Sequence, residues 1–166
     1  MNILVLGIGN LLLSDEAVGV RIVEELERRY QFTPAIDILD GGTSGMELMD
    51  AMADRDHLIV ADAVLTGQAP GEVAVLRDGE VPALFTRKIS PHQLGLSDVL
   101  MALQMTGEFP RRLTLVGVVP ESLEVHIGLS ETAARAVAPA LRQIIAVLRQ
   151  NGVTVSEREQ CEVCGE

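Results

Sequence analysis

The sequence predicts an α/β fold, a mostly parallel β-sheet covered by helices on both faces. Three observations lead there. Short apolar runs rich in Val, Ile and Leu recur along the chain, as in strands buried on both sides. Amphipathic helical segments alternate with the first of these runs, which is the pattern of right-handed β–α–β crossovers. Hydrophobic residues make up 48% of the chain and aromatics only 2%, so the core must be aliphatic. A chain of 166 residues fits one domain that buries roughly two-thirds of its unfolded surface and needs no disulfide or metal to fold.

Asn2 to Gly7 is apolar almost throughout and reads as a doubly buried strand. Ser14 or Asp15 is placed to cap the helix that follows, where Ala17, Val20, Val23 and Leu26 recur at helical spacing. Pro34 marks a turn, and Ala35 to Leu39 forms a second strand ending at Asp40. The glycine-rich turn behind it opens a helix with Met46, Met49 and Ala53 as its apolar stripe. His57 to Ala61 is the third strand and ends at Asp62. Val73 to Leu76 follows a turn with no intervening helix, so an antiparallel strand is expected. Ile89 to Leu96 reads as a loop, with a helix from about Ser97 to Met105. Leu113 to Val119 is another buried strand, and Pro120 to Gly128 is a polar loop. Ser130 caps a long helix to about Gln150, kinked at Pro139 and stopped by Gly152. Residues 1–152 are expected to form the domain. Residues 153–166 are expected to be a charged, flexible tail, beginning with at most a short edge strand.

The formal net charge of −11 removes the basic footprint that nucleic-acid binding needs. No apolar run approaches the roughly 18 residues of a membrane span. The first strand has no positive leader before it. Both cysteines fall in the last six residues, so no disulfide framework is expected. A soluble cytoplasmic protein, with no membrane and no nucleic acid as partner, is the expectation.

Gly7-Ile8-Gly9 after a strand invites a dinucleotide reading, with Asp40 as the ribose acid. Leu12 stands where the third glycine is needed for close helix–strand packing, and Asp15 and Glu16 would repel a pyrophosphate. A second constellation consists of acids at strand ends: Glu16, Asp40 and Asp62 follow successive strands and so converge on one sheet edge. His92, in a Ser-Pro-His-Gln segment, can reach that edge. Two carboxylates and a neutral imidazole suit a divalent transition metal. The plain alternative is that the acids cap helix N-termini. His57 is expected at the surface, and His126 reads as an ordinary loop histidine. Cys161-x-x-Cys164 lacks the further ligands of a structural zinc site and reads as a tail with free thiols. No GxSxG, HExxH or P-loop pattern occurs.

Five stretches carry a resemblance: LVLGIGNLLLSDEAVGVR, ILDGGTSGMEL, HLIVADAV, LRDGEVPALFTRKISPHQLGLSDVL and LTLVGVVPESLE. In this order and spacing the chain resembles the endopeptidases that mature the large subunit of nickel–iron hydrogenases, from Met1 to about Arg149. The resemblance implies a three-layer α/β fold with a twisted sheet of about five strands. It implies removal of a C-terminal extension from the hydrogenase large-subunit precursor after nickel is installed, with that precursor as partner. The family's metal ligands fall on Glu16, Asp62 and His92, and the aspartate of its DGGT motif falls on Asp40, which is implicated in cleavage. Nickel is expected to arrive on the precursor, and other divalent ions to enter the site in vitro. A monomer is expected. The alternative from another class is a non-enzymatic chaperone that holds nickel and precursor through the same ligands.

Overall fold

The apolar run after Asn2 forms β1 (Ile3–Ile8), buried along its whole length. A 3₁₀ turn (Ser14–Ala17) leads into α1 (Val18–Arg29), whose Val20, Ile22, Val23 and Leu26 face inward. The chain continues through β2 (Tyr30–Thr33), β3 (Asp37–Gly42), the single turn α2 (Met49–Met52), β4 (His57–Ala63) and β5 (Val73–Arg77). It ends with α3 (Pro91–Thr106), β6 (Arg112–Val118), α4 (Glu131–Gln150) and β7 (Thr154–Glu157). This computed structural model describes residues 2–42, 48–81 and 91–158, with the backbone path alone for 91–97. The expected helix residue Met46 and the stretch from Pro82 to Lys88 lie outside the described residues, as do Cys161 and Cys164.

The main sheet has five strands in the order β3-β1-β4-β6-β5. β3, β1, β4 and β6 run parallel, and β5 closes the far side antiparallel to β6, as its missing crossover helix required. Alternation along the strands splits the core in two. Val5, Ile59, Ala61 and Val116 pack with Ile22 of α1 and Leu141 and Ile144 of α4. Leu6, Val60 and Leu115 pack on the other face with Met52 of α2 and Val99 and Leu103 of α3. The result is the expected three-layer arrangement.

Three details depart from the sequence reading. α3 begins at Pro91 rather than Ser97; proline at a first helical position loses no hydrogen bond and presets φ. β2 was not anticipated, because its partner is the distant β7, with Phe32 opposite Val155. Val153 and Val155 are buried in the core, so residues 153–158 belong to the folded body. As the sequence predicts, α4 starts at a Ser130 hydroxyl that accepts the Ala133 N–H at 3.1 Å, and it contains Pro139. It stops at Gly152, where φ is +82°.

Candidate active site

Parallel strands send their C-terminal ends to one edge, and that edge collects the acids. Glu16 sits in the 3₁₀ turn just beyond β1 and is 2% exposed; Asp62, near the end of β4, is 0% exposed. Glycines let the turn settle there. A Cβ at Gly9 would strike the Glu16 carbonyl, and one at Gly19 would strike the carbonyls of Ala61 and Ile8. The close helix–strand approach that a dinucleotide motif assigns to its third glycine is made here by Gly7 and Gly19, since a Cβ at Gly7 would lie 2.6 Å from the Gly19 carbonyl oxygen.

Asp15 does not cap the helix it precedes. Its carboxylate reaches across the edge and accepts the N–H groups of Glu121 (2.8 Å), Ser122 (3.0 Å) and Ser130 (2.7 Å), and the Ser130 hydroxyl at 2.7 Å. Burial pushes this carboxyl upward, but hydrogen bonds led by those from Ser130 outweigh it and hold the pKa below the usual value. The Ser14 hydroxyl donates to the Glu124 carbonyl at 2.7 Å, and the Ser14 N–H to the His126 carbonyl at 2.9 Å. The loop carrying Glu16 is thereby stapled to the loop leaving β6. The sequence could not show this, because every partner of the Asp15 carboxylate lies more than a hundred positions away.

Asp62 presents Oδ1 to the Ala63 N–H at 2.8 Å. Its strand neighbours Val60 and Val64 belong to the α3-side core, whereas Ala61 and Ala63 belong to the α1-side core, so the pleat sends Asp62 toward α3. Asp40 differs. It is exposed, stands beside Gly7 across the β1–β3 pairing, and follows Leu39, which faces α3; it therefore points to the α1 side. Between them lies β1, which puts Asp40 and Asp62 two strand spacings apart, roughly 9.5 Å. A register shift after Gly7 inserts Gly41 into this pairing, a bulge at the site edge.

α3 covers the face toward which Asp62 points, through Val99, Leu100 and Leu103. Its last turn lies at the opposite edge, where the Glu108 N–H bonds the Leu103 carbonyl and the Asp54 N–H, just before β4, bonds the Glu108 carbonyl. With 16 residues α3 spans about 24 Å, the full length of β4. Its first turn carries His92 at the second helical position. The His92 ring lies outside the described residues. Among the described residues no three His, Cys, Asp or Glu side chains form a group that could hold a metal.

His57 corrects the sequence reading. It is 4% exposed, not a surface residue, with Nε2 2.7 Å from the Thr114 hydroxyl and Nδ1 3.2 Å from Asn151 Oδ1. It opens β4, at the opposite edge from the acids. His126 is an exposed loop residue, as expected, and its backbone bridges to Leu13.

The sequence family of hydrogenase maturation proteases (HycI) matches residues 20–147. The chain belongs to this family. It is 64% identical over 160 residues to the hydrogenase 2 maturation protease of Escherichia coli strain K12, covering 96% of this chain and 98% of that one. It is 45% identical over 160 residues to the hydrogenase expression/formation protein HoxM of Azotobacter vinelandii, covering 95% and 77%. The structure of the hydrogenase maturating endopeptidase HybD from E. coli superposes with a TM-score of 0.92, covering 95% of this chain and 98% of that chain at 64% identity. A maturation protease from Thermococcus kodakarensis, at 22% identity and a TM-score of 0.73 over 89% and 99% of the two chains, shares the fold. The protein is thus an enzyme, a hydrogenase maturation protease. The dinucleotide and chaperone readings give way to that assignment.

Proposed function

We propose that the protein removes the C-terminal extension of a nickel-loaded [NiFe]-hydrogenase large-subunit precursor, using the precursor's own nickel to recognise it. Glu16, Asp62 and His92 complete the shell of a metal that the precursor brings. The observation that supports this reading is a pair of deeply buried carboxylates at the C-terminal edge of adjacent parallel strands, with Val99, Leu100 and Leu103 of α3 over the face Asp62 points to; a helix of about 24 Å that carries His92 in its first turn is long enough to bring it to that edge. Oxygen donors with one imidazole fit a divalent transition metal. A metal held this way supplies a template for one peptide bond and Lewis-acid polarisation of its carbonyl. The chain's contribution is rigidity: Asp15 locks the Glu16 turn, and Gly19 seats it against β4.

Asp40 has two candidate roles, general base and loop orientation. A base must lie within about 3 Å of the water it activates. The opposite facing of Asp40 and Asp62 supports the orienting role, at the rim where substrate enters. The decisive experiment offers the protein nickel-free and nickel-loaded precursor and follows the chain mass. Loss of the C-terminal segment from the loaded form alone is expected; equal cleavage of both would remove nickel from recognition. An intact chain in a stable complex would restore the chaperone.

A further inference from the structure

Five large apolar side chains stand in solvent on the three loops that leave β1, β4 and β6. Leu11 is 39% exposed, Leu12 57%, Leu65 41%, Val125 84% and Ile127 69%. β1, β4 and β6 are neighbours and parallel, so these loops rise from the same edge as Glu16 and Asp62. Apolar groups gathered in this way mark a binding surface more often than chance exposure.

The backbone beneath them is braced. The His126 N–H donates to the Leu12 carbonyl at 2.9 Å, Leu13 and His126 form a parallel bridge, and Ser14 bonds both the His126 and Glu124 carbonyls. Leu12, Val125 and Ile127 are therefore displayed on a pre-ordered frame, which lowers the entropic cost of docking.

Charge selects the occupant. Segments 9–20, 62–71 and 119–130 contain no Lys or Arg, while Glu121 and Glu124 are exposed beside the apolar groups. A two-fold pairing with a second copy would set these glutamates against each other, in a chain already at −11. An anionic lipid surface would be repelled in the same way. We propose that this rim docks an apolar segment of the large-subunit precursor that is flanked by Lys or Arg. The inference rests on the reading that Glu16 and Asp62 face the cleavage site, since the rim is continuous with them.

The test uses the full chain and nickel-loaded precursor, with kcat and KM measured separately. Val125→Ser with Ile127→Ser alters side chains that are already in water, so the melting temperature is expected to hold. KM is expected to rise about tenfold or more while kcat stays within about twofold. Glu121→Lys with Glu124→Lys is expected to lower kcat/KM most at low salt, where the wild-type attraction is strongest. Met105→Ser, 82% exposed at the other end of α3, is expected to change nothing. An unchanged KM in the Val125/Ile127 variant would overturn the rim. So would a wild-type dimer in sedimentation that this variant dissolves, because the occupant would then be a second copy. Failure of the site reading looks different: Glu16→Gln would go on cleaving, whatever the rim variants do.

Discussion

Where β1 and β4 begin, His57 is 4% exposed and both ring nitrogens have partners within the fold, Thr114 and Asn151. Where the same strands finish, Glu16 and Asp62 are buried as deeply, but among the described residues the loops that leave β1, β4 and β6 add exposed glutamates and aliphatic side chains. One edge uses a buried polar group to tie the end of α4 to the sheet. The other gathers buried carboxylates beneath loops that carry exposed aliphatic side chains. Burial of a polar side chain therefore says little by itself; what surrounds it separates a tie from a site.

The acidic edge is most vulnerable from below, where α1 meets the sheet. Gly19→Val would drive a side chain into the Ala61 and Ile8 carbonyls, which are backbone and cannot step aside. Overpacking against flexible side chains costs about 1–3 kcal/mol; here more than about 3 kcal/mol is expected, with loss of soluble, folded protein. Gly7→Val should fail for a related reason, since its Cβ would lie 2.5 Å from Val23 Cγ2. A melting curve of Gly19→Val close to that of the wild type would show that α1 does not seat the Glu16 turn.

His92→Ala and Asp62→Asn probe the acidic edge without disturbing the fold. Losing a group that merely supports a metal ligand typically costs 10–100-fold, so losing a ligand should cost at least about a hundredfold in processing. Far-UV circular dichroism and melting temperature should stay close to wild type. Normal processing by His92→Ala would remove it from the ligand set. A parallel measurement on Asp40→Asn separates roles: an orienting residue leaves measurable turnover with raised KM, whereas a base loses kcat.

These expectations also show what was legible in the chain. The parallel strands, the antiparallel β5, the Ser130 cap and the gathering of acids at one edge all follow from local pattern plus the geometry of crossovers. Asp15 was misread because a carboxylate before a helix usually serves that helix, and only the fold brings Ser122 and Ser130 to it. His57 was misread because Asp54 to Asp56 before it is polar, while its burial depends on Asn151 arriving from the end of α4. β2 was missed because half of a two-stranded pair carries too little pattern alone. Asp15→Asn tests the first of these. It replaces an acceptor of four bonds with a group that must also donate, so about 2–3 kcal/mol of stability should be lost. Loss of ligand-site function beyond that explained by unfolding would show the staple positions Glu16.

The gentlest test addresses the tie at the opposite edge. Asn151 Oδ1 can only accept, so His57 Nδ1 carries the proton and Nε2 accepts from the Thr114 hydroxyl. Burial pushes the pKa of this ring below its ordinary 6.5, with the Asn151 bond partly opposing. The folded state thus prefers the neutral ring more strongly than the unfolded chain does. Well above pH 6.5 the ring is neutral in both states and contributes no pH slope. As pH falls below that point the unfolded chain binds the proton first, and stability declines until the folded ring is protonated as well. His57→Gln should cost about 1–2 kcal/mol near pH 7.5 through weakened hydrogen bonding. The gap between wild type and variant should then narrow as pH is lowered toward about 5. A gap that stays constant with pH in denaturant titrations would mean that His57 is not held neutral, and the contrast between the two edges would lose one of its sides.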